Sequence, residues 1–305
     1  MPNVNWMIKS RNDWEMHGHA IRRHILSRQT RYQYVEVVDT FNYGRVLLLD
    51  GVPQSSQIDE FIYHEAIVHP ALCSHSNPRN VLIIGGGEGA VLREVLKHST
   101  VEHAVMVDID SELITICREY FSEWHQGSFN DPRTLLIHDD GRSYLQSNAD
   151  TFDCVVLDLS DPFEGSPANK LFTVEFYELV RCALRENGVV SLQAENGALG
   201  HNREHCRIVH TLSQVFPKVF PYYAHIPIYA TLFGFIVCGG LGLTIGRLTS
   251  TQIDSTLAER GVTNLRFYDS QTAQGLFAVP AYIRRQLTDP GLSVITDSNP
   301  LVVTA

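Results

Sequence analysis

The chain has 305 residues, 44% of them apolar and 19% charged, with 21 glycines and 13 prolines. That composition excludes a disordered tail, a collagen and a coiled coil, and the length allows about two domains around a sizeable core. The formal charge of −10 argues against nucleic acid as the main partner, because phosphate binding wants a basic face, and it suits a cationic ligand.

The first residues, MPNVNWMIKSRNDWEM, contain no apolar run of the kind a secretory signal needs. The most apolar stretch, Phe233–Gly246, is too short and too glycine-rich to span a bilayer. Cys73, Cys117, Cys154, Cys182, Cys206 and Cys238 are widely spaced, form no CxxC, and in part sit in apolar runs such as FDCVVLD. They read as reduced, buried thiols of a cytoplasmic protein. Arg22, Arg23 and His24 form a small basic cluster, read as a solvated face.

From Tyr32 to about Gln57 the text alternates and turns like a small antiparallel sheet, with Asn42-Tyr43-Gly44 as a turn. DEFIYHEAIVHPAL then fits a helix ending near Pro70, and the polar stretch SHSNPRN (Ser74–Asn80) marks a boundary. The expected domains are therefore 1–75, an N-terminal β-domain, and 76–305.

Beyond that boundary, strands alternate with helices. Val81–Ile84, Val105–Val107, Leu135–Ile137, FDCVVLD and GVVSLQ are short apolar runs, the last preceded by a helical stretch, LFTVEFYELVRCALREN. This order predicts an α/β fold with a parallel, doubly wound sheet, whose sites lie at the carboxyl ends of the strands. Three of those ends carry acids: Asp108/Asp110, Asp139/Asp140 and Asp158/Asp161.

Between the first of these strands and its helix, VLIIGGGEGAVLREVL places Gly85, Gly87 and Gly89. Glycines there permit a sharp turn and let a ligand approach the backbone. The spacing satisfies both GxGxG and GxGxxA, so the glycines by themselves do not separate a dinucleotide from an adenosyl-sulfonium ligand. Asp108 or Asp110, about 20 residues on, is placed to accept ribose hydroxyls. Glu88 inside the loop is electrostatically wrong for a diphosphate and right for an ammonium, unless it merely points to water. Asp158 and Asp161, three apart before Pro162, can point into one cleft; alone they would equally suit turn chemistry.

Two further patterns look like metal motifs. His64-Glu65 with His69 nearly spells HExxH, but the histidines are five apart, about 140° round a helix, so one ion cannot see both. HNREH (His201–His205) matches an inverted zinc-protease pattern and reads better as a solvated helix start. No metal site is expected.

Taken together, Tyr32-Gln33, LDGVPQ (Leu49–Gln54), DEFIYHE (Asp59–Glu65), GGGEGAVLREVLKH, VDID (Val107–Asp110), DDG (Asp139–Gly141) and DLSDP (Asp158–Pro162) closely resemble the polyamine aminopropyltransferase (spermidine synthase) family. QAE (Gln193–Glu195), HIPIY (His225–Tyr229) and NLRFYDS (Asn264–Ser270) extend the resemblance over essentially the whole chain. The family implies a Rossmann-like, S-adenosylmethionine-methyltransferase-type sheet, a small N-terminal β-domain, and a homodimer or homotetramer. Its reaction transfers the aminopropyl group of decarboxylated S-adenosylmethionine to an amine, releasing methylthioadenosine.

By the same resemblance Asp158 is the general base, Asp161 holds the substrate cation and Tyr63 orients the attacking nitrogen. Glu88 pairs with the donor's ammonium and repels the carboxylate of ordinary S-adenosylmethionine. Asp108 takes the ribose hydroxyls, Asp140 with Gly141 the adenine side, and Gln33, Gln54, His64, Gly85 and Gly87 complete the donor site. Trp14, Gln193 and Tyr229 correspond to acceptor positions.

GGGEGA, DLSDPFEGSPA and EWHQGSFNDPR (Glu123–Arg133) resemble thermospermine synthases and the agmatine- or triamine-using enzymes of thermophiles, whereas Gln193-Ala194-Glu195 resembles ordinary spermidine synthases. Putrescine is the expected acceptor, with agmatine or a triamine as the alternative. More distant alternatives are an S-adenosylmethionine-dependent methyltransferase and a non-catalytic polyamine-binding protein.

Overall fold

The computed structural model describes residues 5–12, 15–245 and 248–303. The chain opens with five antiparallel strands in sequential order: β1 (Trp6–Asn12), β2 (Glu15–Gln29), β3 (Tyr34–Thr40), β4 (Gly44–Leu49) and β5 (Val52–Ser56). The predicted β3–β4 turn is present, with Gly44 in the left-handed region at φ 66° and the Tyr43 N–H donating to the Thr40 hydroxyl.

The sheet begins at Trp6, however, and not at Tyr32. β2, EMHGHAIRRHILSRQ, is exposed or half-buried at all but one position, so it carries no apolar alternation to read. Its ladder to β3 holds it in place. Arg22, Arg23 and His24 are exposed on it, and Arg23 pairs with Asp39 at 2.6 Å.

Helix α1 (Glu60–Ser74) follows, and it runs through Pro70 instead of ending there. A helical proline leaves the carbonyl four residues back without its donor. That carbonyl, on Ala66, accepts from the Tyr222 hydroxyl at 2.8 Å. The tertiary contact satisfies what the proline leaves open, and the helix continues, buried over most of its length.

The second sheet begins with β6 (Asn80–Gly85), α2 (Ala90–Leu96), β7 (His103–Val107), α3 (Ser111–Tyr120), α4 (Ser122–His125), β8 (Thr134–Ile137) and α5 (Gly141–Gln146). It continues with β9 (Phe152–Asp158), α6 (Val174–Ala183), β10 (Leu184–Asn196), α7 (Arg203–Leu212), β11 (Lys218–Ile226) and β12 (Thr231–Gly239). The spatial order is β11-β12-β10-β9-β6-β7-β8.

All five predicted strands lie within β6 to β10, and these run parallel. The sheet extends beyond these five by two strands that the sequence did not mark, and β12 is antiparallel to both β10 and β11. Residues alternate between two buried clusters, Val81 and Ile83 on one face and Leu82 and Ile84 on the other. α1 and α2 cover the first face, α6 and α7 the second, which makes the sheet doubly wound.

The predicted helix LFTVEFYELVRCALREN is shorter than expected. Thr173 caps α6 by accepting from the Phe176 N–H, and Leu184 already pairs with Phe152 as strand. The chain finishes with α8 (Ser250–Glu259), α9 (Ser270–Leu276) and α10 (Ala281–Gln286). The chain leaves β6 toward β7 on one side, while β9 lies on the other. A crevice therefore opens at the carboxyl end of β6, where doubly wound sheets place ligands. Among the described residues no helix is long and apolar enough to cross a membrane.

Candidate active site

β6 ends at Gly85, in the left-handed region at φ 82°, and the Gly86 N–H donates to the Asp158 carbonyl at 3.0 Å. A Cβ on Gly85 would lie 2.1 Å from that carbonyl oxygen. The two strand ends thus touch backbone to backbone, which only glycine allows. A Cβ on Gly87 would meet Leu113 at 2.9 Å and Asp108 Oδ2 at 3.1 Å. The loop is closely fitted to the next strand end as well.

Above these strand ends is a cavity of about 310 Å³. Gly85, Gly87 and Glu88 line it from the loop, Asp108 from the end of β7, and Asp140 with Gly141 from the start of α5. Tyr63 and His64 reach it from α1, and Gln33 and Gln54 from the N-terminal sheet. Asp158, Asp161 and Tyr229 complete the wall. Every described residue expected on the donor side therefore meets in one hollow, although these residues span more than a hundred positions of sequence. Trp14 lies outside the described residues.

Their partners divide the acids. Asp110 caps α3, accepting from the Glu112 and Leu113 N–H groups, and also takes the Thr30 hydroxyl at 2.6 Å and the Gln33 amide at 3.0 Å. It pins the N-terminal sheet to the second one. Asp108 accepts the Asp110 N–H at 2.8 Å, lines the cavity, and has its carboxyl pushed up to about 6, chiefly by burial. Asp140 caps α5 through the Ser143 N–H at 2.8 Å while also lining the cavity. Of the two acids considered for ribose, Asp108 is the one in the cavity wall.

The Tyr63 hydroxyl donates to Asp158 Oδ1 at 2.7 Å. Burial raises the Asp158 carboxyl, while His64 and this hydrogen bond pull the other way. The Tyr63 phenol is held well above its usual range by burial and then by Asp158, so it remains a donor. Glu88 does not point to open water. It is half-buried, accepts the Ser55 hydroxyl at 2.5 Å, and is pushed up to about 7, first by burial. Ser55 in turn accepts from the indole N–H of Trp124 at 2.9 Å. Neither Ser55 nor Trp124 was marked by the sequence, where they look like an ordinary strand polar residue and an ordinary core aromatic.

A smaller cavity of about 70 Å³ shares Gln54, Tyr63, Leu159, Asp161 and Tyr229 with the larger one and adds Gln193, Glu195 and Phe233. Both ends of the Gln193 amide are engaged with backbone: Oε1 accepts the Glu195 N–H at 3.0 Å and Nε2 donates to the Leu159 carbonyl at 3.0 Å. Glu195 sits at φ 64° in a bulge between β10 and β12. The Tyr229 hydroxyl donates to the Gln54 carbonyl, and its ring packs at 5.3 Å from that of Phe233.

The two metal-like patterns resolve into structural contacts. The Glu65 carboxylate accepts three consecutive backbone N–H groups, from Arg266, Phe267 and Tyr268, which explains why the NLRFYDS segment docks there. His69 bonds Glu94 at 2.9 Å and His98 at 3.0 Å. His205 holds the Ala194 carbonyl of the bulge at 2.6 Å and Tyr223 at 2.8 Å, and burial drops it to about 4. His201 lies 3.1 Å from Glu15.

Two family models cover this architecture: "Spermidine synthase tetramerisation domain" over residues 6–65 and "Spermine/spermidine synthase domain" over residues 60–244. The chain belongs to the spermine/spermidine synthase family and is, by that membership, a transferase. It is 40% identical over 295 residues to a polyamine aminopropyltransferase 2 of Hyperthermus butylicus, covering 95% of this chain and 96% of that one. It is 42% identical over 304 residues to a polyamine aminopropyltransferase of a Synechococcus species, covering 97% and 96%. Among solved structures, a spermidine synthase in complex with the transition-state analogue AdoDATO superposes with a TM-score of 0.83 at 29% identity, covering 93% of this chain and 94% of that one. The spermidine synthase of Thermotoga maritima gives 0.81 at 29% identity, with the same coverage.

Proposed function

We propose that this chain is a polyamine aminopropyltransferase, moving the aminopropyl group of decarboxylated S-adenosylmethionine to putrescine, giving spermidine and methylthioadenosine. The observation that carries this reading is the acid-walled double cavity, in which Tyr63 and Asp161 border both chambers and Tyr63 is hydrogen-bonded to Asp158 in the wall of the larger one. Both substrates are cations, and the walls carry Glu88, Asp108, Asp140, Asp158 and Asp161.

The amine nitrogen attacks the methylene carbon bonded to the sulfonium. The carbon–sulfur bond breaks, its electron pair stays on sulfur, and the departing nucleoside is a neutral thioether. The nucleophile must first lose a proton, since amines are protonated at neutral pH. Asp158 takes that proton, Tyr63 sets the direction of the carboxylate, and Asp161 holds the acceptor's charge. Glu88 meets the ammonium of the donor, and the carboxylate of ordinary S-adenosylmethionine would collide with it electrostatically. Asp108 takes the ribose, and Asp140 with Gly141 the adenine side. Gln54 and Tyr229 sit at the junction, and Gln193 with Trp14 belongs to the acceptor side.

Agmatine and triamines such as spermidine remain the alternative acceptors, on the strength of the GGGEGA and DLSDPFEGSPA segments. The same reading includes domains at 1–75 and 76–305 and a homodimer or homotetramer, which the tetramerisation-domain match supports. It also includes a cytoplasmic location, supported by six cysteines that form no disulfide.

The test uses purified protein, decarboxylated donor, and putrescine, agmatine, cadaverine and spermidine in parallel, with products resolved by chromatography. Methylthioadenosine released only when donor and amine are both present is expected. Release without an amine, or methyl transfer from ordinary S-adenosylmethionine, would overturn the reading.

A further inference from the structure

Behind the wall of the larger cavity runs a line of buried charge that the reaction above does not use. Glu60, in the first turn of α1, accepts from His64 Nδ1 at 2.7 Å. Arg93 of α2 grips both oxygens of Glu60, with Nη2 and Nη1 at 2.9 and 3.2 Å. Arg93 is itself held by Glu94 at 2.7 Å and by the Trp124 carbonyl.

His64 is only 3% exposed, yet it lines the cavity. The Tyr63 ring lies edge-on to it with centroids 5.3 Å apart. With Nδ1 turned to Glu60, Nε2 is the nitrogen left for the cavity, and among the described residues it has no hydrogen-bond partner. The charged and titratable groups facing the ring are Glu60 and Tyr63 from α1, Glu88 from the glycine loop, Arg93 from α2 and Asp158 from the end of β9. Burial opposes the imidazolium, but Glu60 and Glu88 outweigh it and Arg93 together.

We propose that Glu60, braced by Arg93, is a positioning residue that makes His64 a placeholder cation, protonated in the empty cavity and deprotonated when the doubly charged donor enters. This rests on the functional reading above and adds a proton coupling to it. The step is an acid dissociation: the Nε2–H bond breaks, the electron pair stays on nitrogen, and the proton leaves to water. The neutral ring still donates Nδ1–H to Glu60 and now offers Nε2 as an acceptor to the donor's ammonium. Two cations are never crowded against a third, and the empty site is not left as a cluster of uncompensated carboxylates.

Calorimetric titration in two buffers of different ionisation enthalpy counts the protons. The probes are decarboxylated S-adenosylmethionine and methylthioadenosine, which lacks both positive charges. At neutral pH the donor releases protons on binding and methylthioadenosine releases none. Glu88 contributes to the count and also helps to hold the imidazolium, so the reading is the difference between wild type and His64→Asn, up to about one proton, repeated in the Glu88→Gln background at lower pH, where the His64 contribution persists. Glu60→Gln keeps the shape and removes the charge. It loses the His64 contribution at neutral pH and regains it only at lower pH, while its affinity for methylthioadenosine stays within about twofold.

Equal proton release with and without His64, or an undiminished count in Glu60→Gln, would overturn this proposal alone, because the donor still binds. A wild-type protein that binds methylthioadenosine but not the decarboxylated donor would overturn the functional reading, and the proposal with it.

Discussion

The hydroxyl of Tyr63 and the carboxylate of Asp158 meet at 2.7 Å, joining the first turn of α1 to the end of β9 across 95 positions of sequence. Removing that hydroxyl leaves a buried carboxylate one hydrogen bond short. A hydrogen bond to a charged group contributes about 1.5–3 kcal/mol, so Tyr63→Phe should lower kcat by roughly 10- to 100-fold. The bond holds the Asp158 carboxyl down, so the acidic limb of the pH–rate profile should also move to higher pH. An unmoved limb would separate Tyr63 from the ionisation of Asp158.

Asp158→Asn keeps the shape of the wall and removes the proton acceptor. Turnover, followed by methylthioadenosine release, should fall by about 10²–10⁴-fold. Binding of methylthioadenosine, by calorimetry, should change little. Wild-type-like turnover in this variant would remove Asp158 as the base.

Gly85→Ala should cost both stability and activity. The new Cβ would enter the Asp158 carbonyl at 2.1 Å, at a φ of 82° that alanine adopts with strain. Gly51→Ala is the matched control, with φ 79° and nothing within 4 Å. The control should lose about 1–2 kcal/mol by thermal unfolding and keep its kcat. Gly85→Ala should lose more and lose turnover with it. Equal losses in the two variants would show that the contact with Asp158 does not matter.

Glu88, raised to about 7, accepts an ammonium best once its proton is gone. Affinity for the decarboxylated donor should therefore rise as pH climbs through neutrality and level off above it. In Glu88→Gln that rise should be smaller, and the preference for the decarboxylated donor over S-adenosylmethionine should shrink by about tenfold or more. Competition binding at two pH values measures both. An unchanged preference would place the discrimination elsewhere.

Gln193 ties the bulge at Glu195 to the Leu159 carbonyl, between Asp158 and Asp161 in the chain. Gln193→Leu removes both bonds at similar volume. The acceptor KM should rise and kcat fall, each by about tenfold, with donor KM nearly constant. A change in acceptor KM alone would make Gln193 a simple contact to the amine, as its family position implies.

Legibility followed burial pattern. β6, β7, β9 and the end of β10 were visible because strands buried on both faces are continuous apolar runs, as in VLIIG and FDCVVLD, whereas β8, an edge strand with Leu135 exposed, was visible from its apolar residues alone. β2 was missed because it is mostly exposed and its stability lies in its ladder to β3, which leaves no trace of alternation. The end assigned at Pro70 was wrong for a related reason: the Tyr222 hydroxyl that satisfies Ala66 comes from 156 positions away. The site residues were read from glycine spacing, strand-end acids and family motifs. Ser55, Trp124, Glu60 and Arg93 were not, since each acts on the cavity only through another side chain.

By itself the amino-acid text determined the order of the strands from β3 to β10, the glycine turn, the acids at the strand ends and the family, because these are properties of short stretches and their spacing. Only the tertiary structure decided that Glu88 is half-buried instead of solvated, that Asp110 is a cap while Asp108 faces the cavity, and that the last two strands run antiparallel. The reason is physical: a carboxylate's charge state and role depend on which dipoles, charges and apolar atoms surround it, and those neighbours are brought together by packing.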